Sequence, residues 1–189
     1  MELTDNELIE QTLHGETEAF GILVRRWERQ IYSLALRVLG HEEDARDVCQ
    51  ETFLSAFRHL KKFRGDAQFS SWIYRIALNL CNTKMRRAQS RPDVPLEQHL
   101  ETTGAEPVAE TEELGANIQQ QEVAQYVRKA LAGLPPEMRQ VIIMKEYEGL
   151  KFVEIAEILN IPVSTVKTRL YTGLAQLKKR LAHLQNAIR

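Results

Sequence analysis

The chain has 189 residues, 43% of them hydrophobic and 27% charged, with a formal net charge of −1; this excludes a disordered chain and allows one globular domain or two small ones. No apolar run nears the roughly 20 residues of a membrane span, and the N-terminus lacks a basic-then-apolar signal, so a cytoplasmic protein without membrane insertion is expected. Cys49 and Cys81 form no CxxC pair and meet no clustered histidines, which argues against a disulfide framework or zinc site; both fall at apolar helical positions and are expected as buried, reduced thiols.

Thr4-Asp5-Asn6-Glu7 is a capping box, with Leu3 and Leu8 spaced as a hydrophobic staple. It predicts a helix from near Asp5 that stops at Gly15. A second helix is expected over residues 16–39, ending at Gly40, and a third over 42–62. In the third, Ala45, Val48, Cys49, Thr52, Phe53, Ala56 and Leu60 recur at the 3.6-residue period and are expected inward. Phe63–Gln68 breaks the pattern. A fourth helix, from about Ser70 to Ala88, turns Trp72, Ile73, Ile76, Ala77 and Leu80 inward. Pro92, Pro95 and Pro107, among many Glu and Thr, mark a linker at residues 92–117. It separates an N-terminal domain, residues 1–91, from a C-terminal one, residues 118–189, with helices near 118–132, 135–147, 151–159 and 163–184. Asn160 stands in the last turn, where a left-handed residue is needed and Asn tolerates that conformation. No convincing strand alternation is present. The expected fold is all-α: two small helical domains, a flexible acidic linker, and a C-terminal helix-turn-helix.

Charge is distributed by segment. Residues 57–91 hold nine basic side chains against the single acid Asp66, residues 92–121 hold seven acids and no base, and residues 122–189 hold eleven bases and six acids. Two basic lobes flanking an acidic strip suggest two nucleic-acid surfaces joined by something that does not bind DNA. After Glu157 no acid occurs at all, while Lys167, Arg169, Lys178, Lys179, Arg180 and Arg189 follow. A helix-turn-helix lays its second helix in a major groove. On that helix Val163, Val166, Leu170, Leu174, Leu177 and Leu181 share the inward face. Ser164, Thr165, Thr168, Tyr171, Thr172 and Lys179 lie opposite, flanked by Lys167 and Arg169. Hydroxyls, Tyr and Lys can reach phosphates, thymine methyls and guanine acceptors.

The third helix turns Asp47, Gln50, Glu51, Leu54 and Arg58 outward. An exposed Leu among like charges suggests a protein-binding face, though a solvated surface reads the same way. The Phe63–Gln68 loop and fourth helix combine aromatics with arginines, as single-strand-binding grooves do, but Trp72 sits at core spacing and is expected to pack.

Asp47-Val48-Cys49-Gln50-Glu51-Thr52-Phe53, Phe63-Arg64-Gly65-Asp66 and Trp72-Ile73-Tyr74-Arg75-Ile76-Ala77-Leu78-Asn79 resemble bacterial sigma factors of the extracytoplasmic-function type. So do Leu134-Pro135-Pro136-Glu137-Met138-Arg139 and Pro162-Val163-Ser164-Thr165-Val166-Lys167-Thr168-Arg169. The resemblance spans essentially the whole chain, in the family's order. It implies a subunit that binds core RNA polymerase and promoter DNA, built from region 2 and region 4, and controlled by an anti-sigma factor. Under it, Asp47, Gln50 and Glu51, with the outward Leu54 beside them, fall at the polymerase contact. Phe63, Arg64, Gly65, Asp66, Ala67 and Gln68 form the loop that receives a −10 base, with Arg75 and Asn79 beside it. Arg139, Lys167, Thr168, Tyr171 and Thr172 fall near the −35 element, where Ser164, Thr165 and Lys179 complete the outward arc. Thr172 departs from the basic residue common at that place.

No nucleophile–base arrangement, metal cluster or phosphate-binding glycine loop is present, so neither catalysis nor a cofactor is expected. The competing reading is a stand-alone regulator with a sensory N-terminal domain. The N-terminal half lacks the strand-helix alternation of a phosphoacceptor domain.

Overall fold

The computed structural model describes residues 3–63, 65, 68–90 and 114–186. Helices α1 (Asp5–Leu13), α2 (Thr17–Leu39), α3 (Glu42–His59) and α4 (Phe69–Gln89) form the N-terminal lobe; α5 (Leu114–Ala132), α6 (Pro136–Ile142), α7 (Phe152–Leu159) and α8 (Val163–Asn186) form the C-terminal lobe. Two tighter or wider segments interrupt them, a 3-10 turn at Leu60–Lys62 and a π-helical turn at Ile143–Tyr147.

Local chemistry sets the helix ends. Thr4 Oγ1 accepts from the Glu7 amide while Glu7 Oε2 accepts from the Thr4 amide at 2.7 Å, the expected reciprocal cap. The helix then stops one turn-residue before the expected Gly15, with His14 as its cap. Gly40 closes α2 at φ +82°, donating to the Leu36 carbonyl. Pro136 opens α6 where its missing N–H costs nothing. Asn160 takes φ +53°, the left-handed conformation that lets α7 turn into α8.

The boundaries differ from expectation in two places. Helix α5 begins at Leu114, inside the stretch assigned to the linker: beyond Pro107 that stretch holds no further proline, and Ala116, Gln119 and Gln120 favour helix. The single helix expected over 135–147 is α6 followed by a π turn, an irregularity that periodicity cannot report. Most of the linker lies outside the described residues.

The apolar stripes pack as their spacing demands. Ala45, Val48, Thr52, Phe53, Ala56 and Leu60 are buried, Cys49 half so, and the Thr52 hydroxyl donates to the Val48 carbonyl at 2.6 Å. Trp72 is half-buried in an aromatic cluster, with ring centroids 5.1 Å from Phe63 and 5.8 Å from Phe69; packing is its role here. One further face was not legible. Tyr74 and Leu78 of α4 are also buried, because α7 lies against α4, so one continuous core cluster runs through both lobes. In the C-terminal lobe Ile142, Ile143, Met144, Ile155 and Val166 are nearly inaccessible. Among the described residues no helix is long and apolar enough to cross a membrane.

Candidate nucleic-acid interface

Helix α8 splits into two faces. Val166 and Leu170 are buried and Val163, Leu174 and Leu177 half-buried against the lobe, while Ser164, Lys167, Thr168, Thr172 and Lys179 are exposed and Tyr171 is 63% exposed. Thr165, expected outward, is half-buried, since it lies at the edge of the packed stripe. The Thr168 hydroxyl donates to the Ser164 carbonyl at 3.0 Å. Lys167 Nζ stands 5.6 Å from the Phe152 ring centroid, and Lys145 Nζ 5.0 Å from the same ring. The aromatic face thus holds two ammonium groups near the start of α8. Arg180 lays its guanidinium across Gly133, where a Cβ would collide with it.

The expected −10 residues are less united. Phe63 is half-buried against Phe69 and Trp72; Gly65, at φ +72°, and Gln68 are exposed; Asn79 is exposed on α4. Arg64, Asp66 and Ala67 lie outside the described residues. Arg75, expected to face DNA, instead donates from Nε to the Ile158 carbonyl at 3.2 Å and from Nη2 to the Glu157 carbonyl at 2.5 Å. Those carbonyls close α7, where a guanidinium complements the helix dipole.

Arg139 is likewise engaged within the protein. Its guanidinium, expected near the −35 face, is half-buried between the lobes. It donates to the Val38 carbonyl of α2 at 2.9 Å, to the Leu134 carbonyl at 3.2 Å and to the Ala132 carbonyl. Burial holds its pKa below the ordinary arginine value, and Nε has no hydrogen-bond partner. The spacing Leu134-Pro135-Pro136 folds the side chain back on the end of α5, which no one-dimensional pattern displays.

On α3, Asp47, Gln50, Glu51 and Leu54 all reach the surface, Leu54 at 42% exposure. The acids are not unpaired, as their sequence spacing suggested. Lys84 of α4 bridges Asp44 at 2.6 Å and Asp47 at 2.9 Å, and Arg58 pairs with Glu51 at 3.4 Å. Burial opposes the Lys84 ammonium, but the two carboxylates outweigh it and raise its pKa. Sequence reading missed Phe57, 46% exposed three residues after Leu54; an apolar i, i+3 pair among polar neighbours was the available signal. Leu54 and Phe57 edge an apolar groove of about 730 Å³ between α2 and α3, floored by Phe20, Val24 and Phe53. A second groove of about 570 Å³ runs beside Asp47, Glu51 and Leu80.

Residues 23–91 match the family described as Sigma-70 region 2, and residues 124–177 match Sigma-70, region 4. The ECF RNA polymerase sigma factor SigW of Bacillus subtilis (strain 168) is 34% identical over 191 residues, covering 97% of this chain and 100% of its own. Among solved structures, CnrH in complex with the cytosolic domain of CnrY is 26% identical, with a TM-score of 0.68 over 93% of this chain and 96% of that one. The sigma factor RpoE of Bartonella quintana, solved with the anti-sigma factor NepR, shares the fold at 21% identity, with a TM-score of 0.65 over 85% of this chain and 93% of that one. Matches to both regions, in their order along an all-helical two-lobed chain, leave one reading: the chain belongs to the sigma-70 family as an extracytoplasmic-function sigma factor, a non-enzymatic subunit that binds core RNA polymerase and directs it to promoter DNA.

Proposed function

We propose that the start of α8 reads the −35 element as duplex, through Lys167, Thr168 and Tyr171. Ser164, Thr165 and Thr172 flank them, and Lys179 grips phosphate. The observation that carries this is the exposed arc of hydroxyl, Tyr and Lys side chains on the second helix of a helix-turn-helix, followed by no acid. The loop 63–68 and Asn79 take an unpaired −10 base. The α3 face of Asp47, Gln50, Glu51 and Leu54, extended by Phe57, docks core polymerase. An anti-sigma factor controls the protein: CnrH, alike over 93% of this chain, was solved with the cytosolic domain of CnrY bound. The protein acts in the cytoplasm, where the polymerase is.

Competitive binding to matched and mismatched −35 duplexes tests the reading at α8. Lys167→Ala costs roughly 1–3 kcal/mol on the preferred sequence and much less on mismatched ones. Lys179→Ala weakens all duplexes alike and lowers the salt slope by about one unit. Equal losses on both duplex classes for Lys167→Ala mean that α8 sits on the backbone and sequence is read elsewhere.

A further inference from the structure

Lys84 of α4 is held by two carboxylates of α3. Its ammonium donates to Asp44 Oδ1 at 2.6 Å and to Asp47 Oδ2 at 2.9 Å, across 40 and 37 residues of sequence. Both bonds therefore form only when α3 and α4 are packed. The Lys84 side chain is 29% exposed, whereas Asp47 remains 71% exposed. One Asp47 oxygen is tied down while the carboxylate still faces solvent. It stands at the rim of the groove of about 570 Å³, where Asp47, Glu51 and Leu54 of α3 meet Leu80, Lys84 and Arg87 of α4. Glu51, beside it, is held less firmly: Arg58 reaches it from the same helix at 3.4 Å, with both side chains exposed, and such a pair orders little.

We propose that Lys84 is a positioning residue for polymerase docking: it fixes the Asp47 carboxylate at the rim of the α3–α4 groove, so that a basic side chain of core polymerase meets an acceptor already in place. The inference deepens the reading of α3 as the docking face and rests on it. An exposed Asp on a helix samples several rotamers, and a partner that uses one of them must order it on binding. Lys84 has ordered it beforehand, and Asp44 anchors Lys84 in turn. Stability alone does not account for the arrangement. Val48 of α3 and Ala77 and Cys81 of α4 already bury the contact between the helices, and ion pairs this exposed add little to it. The sign of the charge is informative as well. A cation inside a face that attracts cations weakens the field of Asp47 even as it fixes its place. Screening and positioning thus push affinity in opposite directions, which makes them separable.

The test follows association and dissociation of the full-length protein with purified core RNA polymerase at several salt concentrations. Lys84→Met keeps the apolar stem and removes the donors. It leaves association equal or faster, because the face gains net negative charge. It speeds dissociation about two- to tenfold, the affinity equivalent of ordering one side chain at an interface. Lys84→Arg, which can still bridge both carboxylates, restores the wild-type dissociation rate. In an Asp47→Ala background Lys84→Met has no further effect on dissociation, since the group it acts through is gone. Helicity by circular dichroism stays at the wild-type level throughout. Tighter binding by Lys84→Met would mean that Lys84 only screens the face, and overturns the proposal. An equal acceleration with and without Asp47 overturns it too, because Lys84 then acts by itself or through the fold. If Asp47→Ala weakens core binding and the two effects simply add, positioning fails and the docking reading stands. If Asp47→Ala binds core as the wild type does, the docking assignment of Asp47 fails and the positioning role falls with it.

Discussion

Side chains at single positions carry consequences that composition conceals. Cys81 is buried and its thiol is pushed up to about 12; Cys49 is half-buried, donates to the Glu28 carbonyl at 3.6 Å, and is pushed up to about 11 by burial and then by Glu28. Both thiols therefore stay protonated at neutral pH and are poor nucleophiles. Alkylation of the native protein by iodoacetamide at pH 8 is expected to leave Cys81 unmodified and Cys49 slow, with both reacting on unfolding. Because the folded pKa values lie above the unfolded ones, the thiols' contribution to stability is full below about pH 8.5 and lost as pH rises from there through the folded values of about 11 and about 12. Rapid native labelling of Cys81 would show that the α3–α4 packing is not as described. Gly173 is the other telling position. A Cβ there would sit 2.9 Å from Ile142 Cδ1 and 3.1 Å from Met138 Cβ, so α8 approaches α6 more closely than any larger residue allows. Gly173→Val is expected to lose about 1–3 kcal/mol by overpacking in urea unfolding. Gly173→Ala loses less, since the gain in helix propensity of about 1 kcal/mol offsets part of the clash. A more stable valine variant would refute the close approach.

Individual helices show how local rules and surface chemistry divide the work. The turn between α7 and α8 depends on Asn160 at φ +53°, ψ +49°. Asn160→Gly is expected to leave stability nearly unchanged, whereas Asn160→Val costs about 1–2 kcal/mol because a β-branched residue resists the left-handed region; thermal unfolding decides between them. Helix α3 buries one stripe and offers Gln50, Leu54 and Phe57 beside the α2–α3 groove, with Glu51 in the second groove toward α4. Glu51→Lys is expected to slow association with core polymerase and change its salt dependence, while helicity and unfolding midpoint stay at wild-type values, since the side chain's one ion pair is exposed. Undiminished core binding in that variant would move the docking face away from α3.

For the molecule as a whole, the lobe interface is a balance between burial and pairing. Burial raises the Glu148 pKa, and the Tyr74 hydrogen bond and the Arg37 charge recover only part of that shift. Tyr74 of α4 and Arg37 of α2 are the charged or titratable groups that bond to it. Raised means that the folded protein holds this proton more tightly than the unfolded chain does. The carboxyl's contribution to stability is therefore full below the ordinary carboxylate pKa and is lost as pH rises through the raised value. Glu148→Gln, neutral at every pH and still able to bond both partners, is expected to be at least as stable as the wild type, and to remove this pH dependence from the urea unfolding midpoint. Arg37, with 37% of its side chain exposed, stays solvated in that variant, so no charge is left buried and unpaired. A glutamine variant of clearly lower stability would show that the carboxylate's charge, and not its hydrogen bonds, holds this contact together.

The residues themselves determined the helices, the order of the two regions, the capping of α1, the left-handed turn at Asn160, the inward stripes of α3 and α8, and the family. All of these follow from spacing along the chain, because a helix converts period into a face and a cap into an end. Only the tertiary structure decided what Arg75, Arg139 and Glu148 bond to. A guanidinium in a basic segment reads as a nucleic-acid contact until a carbonyl from a helix more than 80 residues away is seen beside it. The second buried face of α4, the π turn that aims Glu148, and the partners of the α3 acids were hidden for the same reason: each depends on a surface supplied by a different helix, and no periodicity within one segment encodes which neighbour will cover it.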